Sequence, residues 1–288
     1  MASLTLTKHH GLGNDFLVVV GGDGVNGGGP FEGAGPGART WASFAGQVCH
    51  RRHGIGADGL LVATEPDDAE RAATGAEVVM RLYNSDGSTA EMSGNGIRCL
   101  VQGWARSHGQ EQGAVVVATA AGPRRVTFGP GAEPRTMVAS VDMGPVTPIE
   151  APAGWQDVAA HEHRPVAHLS VGNPHTVVAV EDVAAVDLRT VGQRVPDVNL
   201  EIVAPGPETS AITMRVHERG AGVTEACGTG ACAAAVAAAS WGLAEPAAGE
   251  ITVHMDGGDA RVRLDDPEPG RVTLIGPATF VGAVEVEL

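Results

Sequence analysis

Along most of the chain, short apolar and β-branched runs alternate with polar positions and stop at Gly, Pro or Asp, the period-two pattern of half-buried strands. It predicts strands over residues 4–8, 16–20, 78–83, 115–118, 137–142, 167–171, 176–180, 199–203, 212–217, 251–255, 261–264 and 271–275. Helical patterning is confined to residues 40–50, 94–108 and 228–241, the last two each opening from a turn of small residues. Residues 21–37 are rich in Gly and Pro and read as a surface loop or flexible linker. The sheet dominates, in an α/β arrangement of the α+β type.

The two turn-and-helix openings share a sequence. Glu91-Met-Ser93-Gly-Asn-Gly96 and Glu225-Ala-Cys227-Gly-Thr-Gly230 both read E-x-[S/C]-G-[N/T]-G, and Ser93 and Cys227 lie 134 positions apart, nearly half of 288 residues. Two related halves are expected, each a mainly antiparallel sheet wrapped around its own central helix. A boundary near residues 120–123 suits the turn residues that follow a strand there.

A chain of 288 residues can bury two ordinary cores. Its formal charge of −15 argues against nucleic acid or an anionic membrane surface as the partner, since either needs a basic face. A small metabolite fits better. The opening MASLTLTKHH lacks the basic-then-apolar run of a signal peptide, so export is not expected. The longest apolar stretch, residues 231–240, is mostly alanine and far short of the roughly 20 residues of a membrane span. Cysteines 49, 99, 227 and 232 form no C-x-x-C pair, which disfavours a disulfide framework or zinc site and points to the cytoplasm.

The repeated turn suggests chemistry. Glycine after Ser93 and Cys227 lets a ligand approach the backbone, and the first free N–H groups of a helix then form an anion site. The same field is expected to lower the pKa of a thiol at the helix start, making Cys227 a thiolate and a competent base at neutral pH. Two such turns, one on each side of a carbon next to a carboxylate, would allow inversion: one group removes the α-proton and the other delivers a proton to the opposite face. No metal or pyridoxal cofactor is expected, and His161-Glu-His163 is a weak metal signal that reads as a solvated loop.

Seven blocks occur in order: His10-Gly-Leu-Gly-Asn-Asp-Phe16, Gly54-Ile-Gly-Ala-Asp-Gly59, Asn84-Ser-Asp-Gly-Ser88, Ser93-Gly-Asn-Gly96, Gly172-Asn-Pro-His175, His217-Glu-Arg-Gly220 and Ala226-Cys-Gly-Thr-Gly230. Together they closely resemble the diaminopimelate epimerase family. The resemblance implies two pseudo-symmetric domains, residues 1–121 completed by the C-terminal strand 276–288, and residues 122–275. It implies a cofactor-free cytoplasmic isomerase interconverting LL- and meso-diaminopimelate for lysine and cell-wall synthesis, acting on a small amino-acid substrate, with a homodimer left open. Carried over block by block, Cys227 is one catalytic acid/base and Ser93 stands at the other's position. Asn14, Asn84, Asn173, Asn199 and Arg219 are implied substrate contacts, Gly94, Asn95, Gly228 and Thr229 form the carboxylate-binding turns, and His175 and Glu218 are implied to position the α-amino group and assist catalysis. Gly59 departs from the family where some members contact substrate through a side chain.

Ser93 is the larger departure, because the family's usual pair is two cysteines. A hydroxyl is a far weaker acid than a thiol. Three explanations stand side by side: an engineered exchange, a natural variant that still donates a proton directly or through water, and a changed reaction. A changed reaction would be a one-sided isomerisation or tautomerisation of an amino-acid-derived metabolite with Cys227 as single base; an inactive carboxylate-binding paralogue is a further reading. Cys99 and Cys232, inside their helices, read as small buried hydrophobes, and Cys49 as a helix end. His217 is expected to point away from Glu218, its neighbour on one strand.

Overall fold

The structure is a computed structural model and describes residues 3–21, 40–158 and 164–288. Most of the Gly/Pro-rich stretch and His161-Glu-His163 lie outside the described residues. The chain begins with β1 (Ser3–Gly11), β2 (Asn14–Val20), α1 (Trp41–Val48), β3 (Gly59–Thr64), α2 (Asp68–Thr74), β4 (Val78–Asn84), β5 (Thr89–Ala90), α3 (Gly94–Ser107), β6 (Gly113–Thr119), β7 (Gly122–Pro130) and β8 (Thr136–Pro145). It continues with β9 (Thr147–Pro148), α4 (Trp155–Val158), β10 (Val166–Ser170), β11 (Pro174–Ala179), a 3-10 turn (Val183–Ala185), α5 (Leu188–Gly192), β12 (Asn199–Pro205), β13 (Ala211–Glu218), β14 (Gly222–Thr224), α6 (Gly228–Trp241), β15 (Glu250–Met255), β16 (Gly258–Leu264) and β17 (Arg271–Glu287).

Two compact units result, Met1–Val141 with Pro277–Leu288, and Asp142–Gly276. In the first, β1–β2, β3–β4, β4–β5, β6–β7 and β7–β8 pair antiparallel, and β2–β3 and β4–β6 pair parallel. The second repeats this pattern: β10–β11, β12–β13, β13–β14, β15–β16 and β16–β17 are antiparallel, and β11–β12 and β13–β15 parallel. The internal repeat read from two short motifs thus extends to every strand pairing. The boundary expected near 120–123 is corrected: Thr119 pairs with Gly122 across a tight hairpin, and the chain leaves the first unit only after Val141. Because β7 pairs with both β6 and β8, residues 122–141 stay with the first unit.

Several elements carry no clear periodic signal. β3 is buried at five successive positions, Gly59 to Ala63, so its sequence is a continuous apolar run without alternation. β7 carries prolines at positions 123 and 130 and consecutive arginines. α2 has no buried residue and is held by its Asp67 cap, and α5 spans only Leu188–Gly192. Among the described residues, no helix is long and apolar enough to cross a membrane.

Each unit packs its sheet around one 14-residue helix. α6 buries Gly228 to Ala235, Ala237 and Ala238, and its alanine-rich girth lets strands approach from several sides. α3 is buried from Gly94 to Ala105 and comes close enough to β2 that a Cβ on Gly103 would lie 2.9 Å from Val18 Cγ1. Its buried polar residues Asn95, Arg98 and Gln102 fall on one stripe. Arg98 donates to the carbonyls of Gly94 and Pro277 and to Asn95 Oδ1, while Gln102 donates to the carbonyls of Arg135 and Ala278. These bonds fasten the returning C-terminal segment to α3, which explains why residues from Pro277 onward belong to the first unit.

Gln102 Oε1 also lies 2.7 Å from Nδ1 of His9, which has no exposed surface. Burial pushes His9 down to about 4, so the fold holds a neutral ring. Its folded value is below the unfolded one, near 6.5, so stability is lost as pH falls through that interval, by about 3 kcal/mol in all. The melting temperature should therefore fall between pH 6.5 and 4, and fall less steeply in His9→Gln, as thermal unfolding across that range would record.

Candidate active site

Ser93 and Cys227 cap their helices in the same way. Ser93 has φ −141°, ψ 122° and its Oγ accepts from Gly96 N at 3.0 Å; Cys227 has φ −127°, ψ 116° and its Sγ accepts from Gly230 N at 3.4 Å. The caps leave the N–H groups of the residues that follow, Gly94 and Asn95, Gly228 and Thr229, without intrahelical acceptors. All four residues are buried.

Around the first cap the structure gathers Asn14 and Asn95, whose amides approach at 3.5 Å. Asn14 Nδ2 donates to Asp58 Oδ2 at 2.7 Å, and Asp58 is held by Arg51, which also grips Asp15. Asp58 and Arg98 are therefore supports of this turn that motif reading passed over. Asn84 lies beside the group, donating to Ser88 Oγ in the β4–β5 turn, while the Asp58 carbonyl accepts from Ser85 N. Gly59 needs no side chain: a Cβ there would lie 2.7 Å from Tyr83 O and 3.2 Å from the Phe16 ring.

The second cap gathers more ionisable groups. His175 is fully buried, its Nδ1 2.7 Å from Glu201 Oε1 and its Nε2 2.9 Å from Asn173 Oδ1. Asn173 Nδ2 reaches Thr229 Oγ1 at 3.3 Å, and Thr229 Oγ1 is 3.5 Å from Cys227 Sγ. Asn199 is buried with both amide ends engaged, donating to Pro174 O and accepting from Arg219 N, so it ties two turns of the site together. The Arg219 side chain is exposed. Glu218 accepts from Thr224 Oγ1, and its charge acts on the Cys227 thiol. His217 packs on the opposite face, its ring filling the space where a Cβ of Gly192 would sit.

The expected thiolate is corrected. Burial, then the charges of Glu218 and Glu201, raise the Cys227 thiol well above its ordinary range, against the weaker pull of Thr229 and the Gly230 N–H. For a buried thiol near two carboxylates, the field of one helix terminus does not win. Burial likewise raises Glu218, opposed by its bonds to Thr224 and Cys227. The two therefore form a pair between which one proton can pass. Cys49 and Cys99 are pushed up to about 12 by burial, as expected of inert core thiols.

Strand registers show how far the units differ. Phe16 lies opposite Gly59, which lies opposite Asn84, and Val18 lies opposite Leu61. In the second unit His175 lies opposite Asn199, Val177 lies opposite Glu201, and continuing the β12–β13 register brings Glu218 beside Asn199. Asn14 thus matches Asn173, Phe16 matches His175, Leu61 matches Glu201, and Asn84 matches Glu218. Ser93 stands where the matching groups are apolar or neutral, and Cys227 where they titrate.

The sequence profile described as diaminopimelate epimerase matches residues 6–149 and 168–281. The chain is 39% identical to the diaminopimelate epimerase of Synechococcus elongatus over 308 aligned positions, 99% of each sequence. It is 36% identical to that of Desulfitobacterium hafniense, over 96% of each. Among solved structures it is similar to a PhzF-family phenazine biosynthesis protein from Bacillus anthracis, with TM-score 0.70, 13% identity and 100% of each chain covered. It is also similar to a hydroxyproline epimerase from Agrobacterium vitis, with TM-score 0.64 and 16% identity over 99% of this chain and 91% of the other. At those identities the structural likeness speaks for the fold alone.

Proposed function

We propose, from the premise that the chain belongs to the diaminopimelate epimerase family and is an isomerase, that it interconverts LL- and meso-diaminopimelate by proton transfer at the α-carbon. The assignment includes a cytoplasmic setting and supply of lysine and peptidoglycan precursors. The observation that carries it is the matched capping of two 14-residue helices by Ser93 and Cys227.

Cys227 starts as a thiol and passes its proton to Glu218, the carboxylate whose charge acts on it. The resulting thiolate takes the α-proton, and the electrons of that C–H bond spread onto the substrate carboxylate, held by backbone N–H groups of the turns. Ser93 gives its hydroxyl proton to the opposite face and regains one from water, and the proton released by Glu218 neutralises the hydroxide left behind, so that all three groups return to their starting states. His175 and Glu218 hold the α-amino group, Arg219 takes the distal carboxylate in a bidentate grip, and the asparagines set orientation without adding charge.

Because an alkoxide is a costly product, the Ser93 step limits inversion, and exchange at Cys227 outruns it. In heavy water, diaminopimelate incubated with the protein should gain α-deuterium faster than the diastereomers equilibrate, with label in both at equilibrium. Exchange with no inversion at all would overturn epimerisation. One observation favours that second reading, a one-sided isomerase with Cys227 as single base: among the described residues no titratable side chain hydrogen-bonds Ser93. Binding of diaminopimelate with neither exchange nor inversion would indicate an inactive carboxylate-binding protein.

A further inference from the structure

Glu201 has no assigned part in the reaction, yet it is one of the few fully buried charged side chains. It lies two residues after Asn199 on β12, so both face α6, and its Oε1 takes the 2.7 Å bond from His175 Nδ1. Its Oε2 is buried and has no hydrogen-bond partner among the described residues. The carboxylate presses on the first turn of α6, where a Cβ on Gly230 would come 2.5 Å from Oε1. The glycine that ends the repeated motif is therefore required here by the carboxylate. In the first unit the matching glycine, Gly96, faces Leu61 Cδ2 at 3.5 Å instead.

We propose that Glu201 is a positioning residue of the Cys227 site, holding the His175 ring through Nδ1 and setting its carboxylate against the turn that Cys227 caps. It thereby governs how much of Cys227 stands as thiolate before substrate arrives, leaving Glu218 to take the proton. The charge of Glu201 acts in the same direction as that of Glu218 on the thiol.

Among the described residues of the second unit, the charged groups facing Cys227 are few. β11 brings His175, β12 brings Glu201 and β13 brings Glu218, while Glu225, just before the cap, is exposed. On the other strands packed against α6, the ionisable residues His168, Glu250, His254, Asp259, Arg261 and Arg263 alternate with buried Leu169, Ile251, Val253, Ala260 and Val262, and so occupy the opposite faces. Neutralising Glu201 therefore removes one of two carboxylates near the sulfur.

The inference rests on Cys227 being the acid/base group, but its test needs no substrate. Iodoacetamide alkylation of Cys227, followed by peptide mass spectrometry from pH 6 to 10 on the full chain, reads the thiolate directly. Glu201→Gln keeps the size and the acceptor for His175, and its alkylation limb should move about one unit lower, roughly tenfold more thiolate at a given pH below the midpoint. Glu201→Asp keeps the charge and should leave the midpoint nearer the parent's, which guards against a fault of folding in the first variant. Coincident limbs in all three proteins would overturn the proposal. A shifted limb in a parent protein that neither exchanges nor inverts diaminopimelate would sink the epimerase reading and leave the role of Glu201 standing.

Discussion

Ser93→Cys is expected to raise the rate of LL- to meso-diaminopimelate interconversion by about 10²–10⁴-fold, the usual worth of a positioned acid or base. The backbone already suits a thiol: the cap angles at Ser93 and Cys227 differ by little, and a cysteine caps the matching helix. The surroundings also favour ionisation more than those of Cys227, because Asn84 and Leu61 occupy the places that Glu218 and Glu201 hold in the second unit. The new thiol should therefore be alkylated at lower pH than Cys227, whose own value burial and two carboxylates hold high. Steady-state interconversion of both diastereomers, with peptide-resolved alkylation, checks both statements. An unchanged rate would mean that inversion does not pass through position 93.

The second large effect is the reverse exchange. Cys227→Ser should lower the rate of α-proton exchange into heavy water by about 10²–10⁴-fold, since neither cap would then offer an accessible anion. Serine preserves the cap on Gly230 N, so the melting temperature should move little; alanine would also lose the cap, at about 0.5–2 kcal/mol. Exchange surviving in Cys227→Ser would transfer the role of base to Glu218, whose charge acts on the same sulfur.

These expectations diverge between two halves that look alike as sequence. The motif E-x-[S/C]-G-[N/T]-G is local, and its capping geometry follows from the residues themselves: a small polar side chain accepts from the third helical N–H, and glycines keep the turn narrow. The helices α1, α3 and α6 and most of the strands were therefore legible along the chain, whereas Asn14, Asn173, His175 and Glu218 were singled out only through the family resemblance. β3 was not legible, because a strand buried on both faces loses its alternation, and neither was the passage at Val141, because a hairpin and a domain boundary use the same turn residues.

What the chain determined by itself is the duplicated frame: two capped helices, a strand-rich wrapping for each, and a serine in one motif where the other has a cysteine. What only the tertiary structure decided is the charge around each cap. Glu201 comes from β12 and Glu218 from β13, both distant along the chain from the Cys227 motif or outside it, and strand register alone brings them to the sulfur. Local sequence specifies backbone shape and hydrogen bonding within a few residues, whereas a thiol's acidity is set by burial and by charges that arrive from other strands. That is why the helix-terminus argument pointed to a thiolate and the folded site holds a thiol.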